Sequence, residues 1–250
     1  MQDKQSVYDK DGFFDLYQKL RSNPNSLNEI VEKPTMLGLV GGVSGKRILD
    51  LGCGCGEHLK RYLERGAAFV AGMDLSQAML QQAAKNLAEF RPHFLLEQAP
   101  MERLERLNEG HFDLITSSFA FHYVQDFPAL LAIIHDKLVP NGQLVFSQEH
   151  PIVTCYQGGE RWEKDAQKRQ LAYRLNFYRD EGERQRNWFK QPFTTYHRTT
   201  ATIINNLISA GFHIEQMAEP MLADQPQWQD EFKDLQHRPV LLFVKARKNT

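Results

Sequence analysis

The residues best able to do chemistry lie in one short run, Asp50-Leu51-Gly52-Cys53-Gly54-Cys55-Gly56, between an apolar stretch and a helical one. Alternate glycines let backbone approach a ligand with no Cβ in the way, and they accept φ > 0. A helix starting directly after them turns free N–H groups and a positive dipole end on the same point. Asp74 follows about 18 residues beyond Gly56, the spacing at which a carboxylate meets ribose hydroxyls in nucleotide-binding α/β folds. The glycine spacing is G-x-G-x-G, whereas a pyrophosphate is seated by G-x-G-x-x-G, so the expected ligand is a nucleoside-type molecule. Cys53 and Cys55 form a C-x-C pair whose nearest further ligand is His58 on the following helix, and no metal site is expected from them.

These groups need a scaffold, and the chain alternates short apolar runs with helical stretches. The runs are Arg47–Leu51, Ala68–Met73, Phe94–Glu97, Asp113–Ser117 and Gln143–Ser147. Between them Glu57–Arg65, Ser76–Phe90, a short piece near Glu102–Asn108 and Phe127–Leu138 read as helices. Such alternation predicts βαβ units on a parallel sheet, with Pro140-Asn141-Gly142 as the turn into the fifth strand. Thr199–Ala210 predicts a helix stopped by Gly211, and Phe212–Met217 and Val240–Ala246 predict two last strands. Residues 1–46 predict an N-terminal helical cap: Tyr8, Phe13, Phe14 and Tyr17 share a helical face, and Ser26-Leu27-Asn28-Glu29 fits a capping box. Pro34 is expected to kink or restart the second helix there. The stretch at about 152–196, charged and aromatic with acids among its bases, predicts an inserted lid on a main domain of 47–250.

Composition closes off other classes. The chain has 250 residues, 42% hydrophobic and 24% charged, which is ordinary for a globular protein. Thirty Lys and Arg against 31 Asp and Glu leave a net charge of −1, so no nucleic-acid partner held mainly by charge is expected. No apolar run approaches the roughly 20 residues of a membrane-crossing helix, so no membrane partner is expected. The N-terminus lacks the apolar core of a signal peptide, and three cysteines cannot make a disulfide framework. A cytoplasmic protein, monomer or homodimer, is the expectation.

Asp50–Gly56 resembles the first motif of class I S-adenosylmethionine-dependent methyltransferases, and Asp74-Leu75-Ser76-Gln77-Ala78-Met79-Leu80 resembles their acidic ribose motif. Phe112–Ser118 looks like their fourth strand, and Leu138–Gly142 like the turn before their fifth. Glu149-His150-Pro151, Tyr196-His197-Arg198-Thr199 and Arg238-Pro239 are similar to a bacterial small-molecule methyltransferase-like subgroup, which brings no substrate with it.

The resemblance implies a Rossmann-like, seven-stranded, mostly parallel sheet with an antiparallel last strand and helices on both faces. It implies that S-adenosylmethionine is the cofactor and S-adenosylhomocysteine the product. Gly52, Cys53, Gly54 and Gly56 would line the methionine portion, with Asp50 holding the loop or the amino group. Asp74 would accept from both ribose hydroxyls, and Leu75 and Met79 would cover one adenine face. Ala99, Pro100 and Met101 would meet the adenine edge where the family often has an acid, leaving backbone or Glu102 to do so. Ser117, Phe119 and Ala120 would lie beside the sulfonium, and Asn28 and Glu32 are candidates for the methionine end. His122, His150 and His197 are candidate bases, with His58 nearer the cofactor. Tyr8, Tyr17, Tyr156, Trp162, Tyr196 and Arg198 are candidate acceptor contacts, as is Glu149. The expected reaction moves a methyl group to oxygen or nitrogen of a small-molecule acceptor by in-line displacement. Alternatives are a non-catalytic binder of the same cofactor or its product, and a nicotinamide-dependent oxidoreductase.

Overall fold

The computed structural model describes Asp9, Phe14, Lys19 and residues 23–188, 191–221 and 232–249. The expectations for Tyr8 and Tyr17 lie outside the described residues. The main strands are β1 Arg47–Leu51, β2 Phe69–Asp74, β3 Phe94–Gln98, β4 Phe112–Ser117 and β5 Leu138–Glu149, completed by β10 Phe212–Ala218 and β11 Leu241–Lys248. Their order is β10-β11-β5-β4-β1-β2-β3. β1, β2, β3, β4 and β5 pair in parallel. β11 runs antiparallel to both β5 and β10, as the resemblance implied.

Strands buried on both faces read as continuous apolar runs. Leu49, Leu51, Ala71 and Met73 meet Leu130, Leu131 and Ile134 of α4 (Phe127–Lys137) and Ile203 and Leu207 of α6 (Thr200–Ser209). Ile48, Val70, Leu114, Val145 and Phe243 meet Met36, Leu39 and Val40 of α1 (Lys33–Val40) and Leu59, Tyr62 and Leu63 of α2 (Glu57–Glu64) on the other side. α3 (Gln77–Asn86) joins β2 to β3. The chain winds outward from β1 to β3 and then crosses to β4 on the opposite side of β1. That reversal opens a crevice beyond the C-terminal ends of β1 and β4, the usual ligand position in such sheets.

Three local features depart from the sequence reading. A π-helical turn, Asn28–Glu32, leads into α1, and Pro34 lies in the first turn of α1, so the proline restarts the helix, one of the two expected outcomes, and does not kink it. Ser26 Oγ accepts from Glu29 N–H at 3.3 Å, forming one half of the capping box. β5 is longer than expected, and Asn141 (φ 62°) sits in an irregularity where the pairing with β4 jumps from Phe112↔Leu138 to Leu114↔Gln143. The stretch at 152–196 contains a four-residue helix, α5 (Pro151–Thr154), and two hairpins outside the main sheet: β6 (Trp162–Lys164) with β7 (Gln170–Tyr173), and β8 (Gly182–Trp188) with β9 (Gln191–His197). Polar alternation with few β-branched residues hid those strands.

Gly72 in β2 marks how closely α2 and the loop after β1 approach the sheet. A Cβ there would lie 2.6 Å from Leu59 Cδ1 and 2.7 Å from Cys53 Sγ. Gly72→Ala is expected to destabilise the protein by about 1–3 kcal/mol through overpacking, read as a lower urea midpoint with unchanged slope.

Candidate active site

The loop after β1 is tied to the end of β2. Gly52 N–H and Cys53 N–H both donate to the Met73 carbonyl, at 2.8 and 3.0 Å. Gly54 N–H donates to Asp74 Oδ2 at 2.9 Å, and Ser76 N–H donates to Oδ1 at 2.8 Å. Positive φ is needed at Gly52 (74°), where a Cβ would also stand 2.7 Å from Ala120 Cβ. Gly54 (φ 51°) differs, because a Cβ there would meet nothing within 4 Å. It faces the crevice, and Gly56 caps α2.

Met101 Cε would come within 3.5 Å of a Cβ at Gly52, so the segments after β1, β3 and β4 converge there. Ala99 is buried, and its N–H donates to the Asp74 carbonyl at 3.2 Å. Pro100 and Glu102 are half-buried beside it, and so is Leu75 after β2. Met79 is buried, with its Sδ 3.4 Å from Cys55 Sγ. Burial pushes the Cys53 thiol well up, so it packs as a neutral group. Ser117 Oγ donates to the Leu51 carbonyl at 2.8 Å, holding β4 to β1 at the crevice edge. Phe119 takes φ 54°, and its N–H donates to the Ser147 carbonyl at 3.0 Å.

Under the loop lies a group of buried charges. Asp50 accepts from Thr116 Oγ1 at 2.7 Å, and burial lifts its carboxyl to about 6 despite the cation-forming His58 nearby. Glu32 is fully buried and accepts from Ser118 Oγ at 2.6 Å and Ser147 Oγ at 2.7 Å. Its Oε2 stands 3.6 Å from His58 Nε2. Burial opposes both charges, but their mutual attraction, with the two serine hydroxyls on Glu32, leaves the Glu32 carboxyl below, and the His58 imidazole above, its ordinary range. Asn28 Oδ1, Glu32 Oε2 and both His58 ring nitrogens have no hydrogen-bond partner among the described residues. Glu32 thus links the helix before α1 to His58 of α2 and to the serines after β4 and in β5. Ser118, Ser147 and Thr116 are partners that sequence reasoning missed, since hydroxyls on strand ends carry no spacing signal.

The candidate bases separate by their partners. His150 Nδ1 accepts from Ile152 N–H at 3.1 Å, which leaves Nε2 to donate to Glu219 Oε1 at 2.8 Å. His197 Nε2 donates to the Tyr178 carbonyl at 2.8 Å, and its Nδ1 accepts from Thr154 Oγ1 at 2.7 Å. Both rings are held at two points, His150 capping α5 and His197 fastening β9 to it. His122, in the short helical turn after β4, is buried, and its Nδ1 has no partner among the described residues.

Among the expected acceptor contacts, Arg198 donates to the carbonyls of Val124 and Gln125, and so clamps the segment after β4. Tyr156 donates to the Gly159 carbonyl at 2.7 Å under the Arg161 guanidinium, within the lid. Trp162 packs edge-on against Tyr173 and His237. Tyr196, on β9, is half-buried. Glu149, at the end of β5, is 3.6 Å from Arg186, a residue the sequence reading did not single out.

Known proteins share this fold. Residues 48–142 match the family model described as a methyltransferase domain. The chain is 34% identical to an S-adenosylmethionine-dependent methyltransferase from Mesorhizobium loti, with a TM-score of 0.76 over 89% of this chain and 100% of that one. It belongs to the S-adenosylmethionine-dependent methyltransferases. S-adenosylmethionine is the cofactor of this methyltransferase. The chain is also 68% identical to an uncharacterized protein of Haemophilus influenzae over 251 residues, 99% of each. A ubiquinone biosynthesis O-methyltransferase of Pasteurella multocida is 32% identical over 151 residues, 57% of this chain and 59% of that protein.

The residues present fit the cofactor. Gly54 leaves open the space a Cβ would fill, and Asn28 Oδ1 is a buried acceptor in want of a donor. Asp74 has lone pairs beyond the two its backbone donors use.

Asp74→Ala removes both a hydroxyl acceptor and the anchor of Gly54. Titration calorimetry with S-adenosylhomocysteine should show binding weaker by roughly 2–4 kcal/mol. Asp50 is raised from 3.8 to about 6, so its ionisation costs stability as pH rises through that window and relieves it below 4. At pH 7.5 Asp50→Asn should therefore raise the stability of cofactor-free protein by about 1–2 kcal/mol, a gain that fades by pH 4. Parallel urea melts at the two pH values check this.

Proposed function

We propose that the chain transfers a methyl group from S-adenosylmethionine to oxygen or nitrogen of a small-molecule acceptor, with His122 as the group that takes the acceptor's proton. The observation that carries this reading is the His122 Nδ1 left without a partner among the described residues, while His150 and His197 have both ring nitrogens engaged. When bound, the cofactor supplies a methyl group on a sulfonium sulfur, which keeps the carbon–sulfur electron pair and leaves as a neutral thioether as the acceptor's lone pair bonds to carbon.

The chain's own part is to hold and to exclude water. Gly52, Cys53, Gly54 and Gly56 would line the methionine portion, with Asp50, Asn28 and Glu32 acting on its amino group directly or through the loop. Asp74 would hold the ribose, and Leu75, Met79, Ala99, Pro100 and Met101 would enclose the adenine. Ser117 and Phe119 would shape the wall beside the reacting carbon. Holding acceptor and methyl in line supplies most of the acceleration in such a displacement, and a base within reach of an O–H adds to it.

Burial holds the His122 imidazole below its ordinary range, with Arg186 and Arg198 acting in the same direction against Glu149. A neutral ring at pH 7 is the form a proton acceptor needs. The oxygen acceptor draws support from the name of the Pasteurella relative, which matches a little over half of this chain.

The test is a screen of hydroxyl and amine acceptors with radiolabelled cofactor, followed by variants of the histidines. His122→Ala should cut turnover by roughly 10²–10⁴ with cofactor affinity unchanged. His150→Ala and His197→Ala should act mainly on stability. With the wild type, the acid limb of kcat/KM should fall below pH 6.5, because the folded ring protonates only at lower pH. An inactive His150→Ala beside a fully active His122→Ala would move the base to His150.

A further inference from the structure

The β8–β9 hairpin has an unusual inner face. Residues on a strand alternate between two sides, and here Glu183, Gln185 and Asn187 are exposed while Arg184 is buried and Arg186 half-buried. Pairing sets Arg184 opposite Thr195 and Arg186 opposite Phe193. Phe193 lies 6.0 Å from the ring of Tyr123, which in turn adjoins His122. The side turned toward the segment after β4 is thus basic and polar, where a lid that only packed would be apolar.

Several polar atoms here are buried and find no hydrogen-bond partner among the described residues: Arg186 Nη1, Arg184 Nε and Thr195 Oγ1 on the hairpin, and Glu149 Oε2 and His122 Nδ1, whose side chains interact with Arg186. Each such atom costs about 1–3 kcal/mol when nothing satisfies it, so a cluster of them marks a place completed by something else. Arg184 has its Nη groups on the carbonyls of Glu183 and Asp180, which fixes it as framework. Arg186 is differently placed. Its Nη2 stands 3.6 Å from Glu149 Oε1, beyond hydrogen-bond length, and its Nη1 is unused. The charged groups acting on the His122 ring are Glu149, Arg186 and Arg198, two cations against one anion. Arg198 is also in reach of Glu181 and Asp126, and its guanidinium is spent on backbone carbonyls. Of the two cations acting on the His122 ring, Arg186 is thus the one with an N–H that finds no partner among the described residues.

We infer that Arg186 is a specificity-determining residue of the acceptor site, and that the acceptor carries a carboxylate which its guanidinium binds while Glu149 steadies the guanidinium from the other side. The planar fork of arginine matches a carboxylate with two parallel N–H donors. Arg186 reaches the site from the lid, so an acid-bearing acceptor would draw the hairpin down over the crevice and seat itself beside His122. This rests on the methyltransferase reading of the same site. It adds to that reading the chemical class of the acceptor and a residue that selects it.

The test uses the full chain saturated with S-adenosylhomocysteine, at constant ionic strength, with acetate and benzoate as probes against their neutral isosteres acetamide and benzamide. Binding is followed by the thermal midpoint and by the imidazole NMR signals of His122. The carboxylates should raise the midpoint and move those signals in a saturable way, and the amides should do neither. Arg186→Gln should weaken carboxylate binding at least tenfold, with Arg186→Lys in between, and S-adenosylhomocysteine affinity should stay within twofold of wild type. Equal responses to acid and amide, no response to either, tighter binding of inorganic phosphate, or an Arg186→Gln variant that binds as wild type would each overturn the assignment. The comparison of acid with amide needs only the wild type, so a variant that misfolds does not remove the test. A wild-type chain that failed to bind S-adenosylhomocysteine at the outset would count against the methyltransferase reading, a separate failure visible before any carboxylate is added.

Discussion

The hydrogen bond from Gly54 to the Asp74 carboxylate is the constraint on which the site depends. It joins the loop after β1 to the end of β2, and the Met73 carbonyl reinforces it by receiving both Gly52 and Cys53 N–H groups. The loop is thereby held open at Gly54, with its backbone turned to the crevice. The same carboxylate receives Ser76 N–H, so the acid that anchors the loop also fixes how α3 begins. Asp9 reaches that helix start as well, accepting from Ser76 Oγ at 2.5 Å and from Ala78 N–H at 3.2 Å.

Below the loop, the protein keeps charge in places where burial opposes it. Glu32 persists as a carboxylate because two serine hydroxyls and the His58 imidazole answer it. Asp50, with a single hydroxyl partner shown, is lifted instead. Two acids at similar depth therefore titrate in opposite directions, and the difference is the number and charge of their neighbours. Strongly perturbed carboxylates of this kind cluster at functional sites.

The lid follows another logic. The β6–β7 hairpin is fastened by Arg238, which lies 4.6 Å from the Tyr173 ring centroid and 5.6 Å from that of Trp162. The β8–β9 hairpin is fastened by His197 and by Arg198 at its end. With its ends pinned, the second hairpin can present Arg186 and Thr195 inward without relying on them for its own stability.

The alternation of strands and helices and the glycine–acid pair were legible from sequence because they rest on short-range patterns, whereas the strand order is set by long-range pairing. Apolar runs of strand length, helix-length spacers and glycines at alternate positions each express a local backbone requirement, and Asp50–Gly56 followed by Asp74 leaves little freedom of interpretation. The expected last antiparallel strand came from resemblance, and β11 has that direction. Tertiary structure decided the rest. His122, His150 and His197 are equivalent as residue types, and it is the packing of Glu219, Tyr178 and Thr154 against two of them that sets apart the third, whose Nδ1 has no partner among the described residues. Arg198 is held on the carbonyls of Val124 and Gln125, while Arg186, one base among many in a charged stretch, lies where its charge acts on His122. The reason is physical. Backbone patterns repeat over a few residues, but the partner of a polar side chain is set by contacts between segments far apart in the chain.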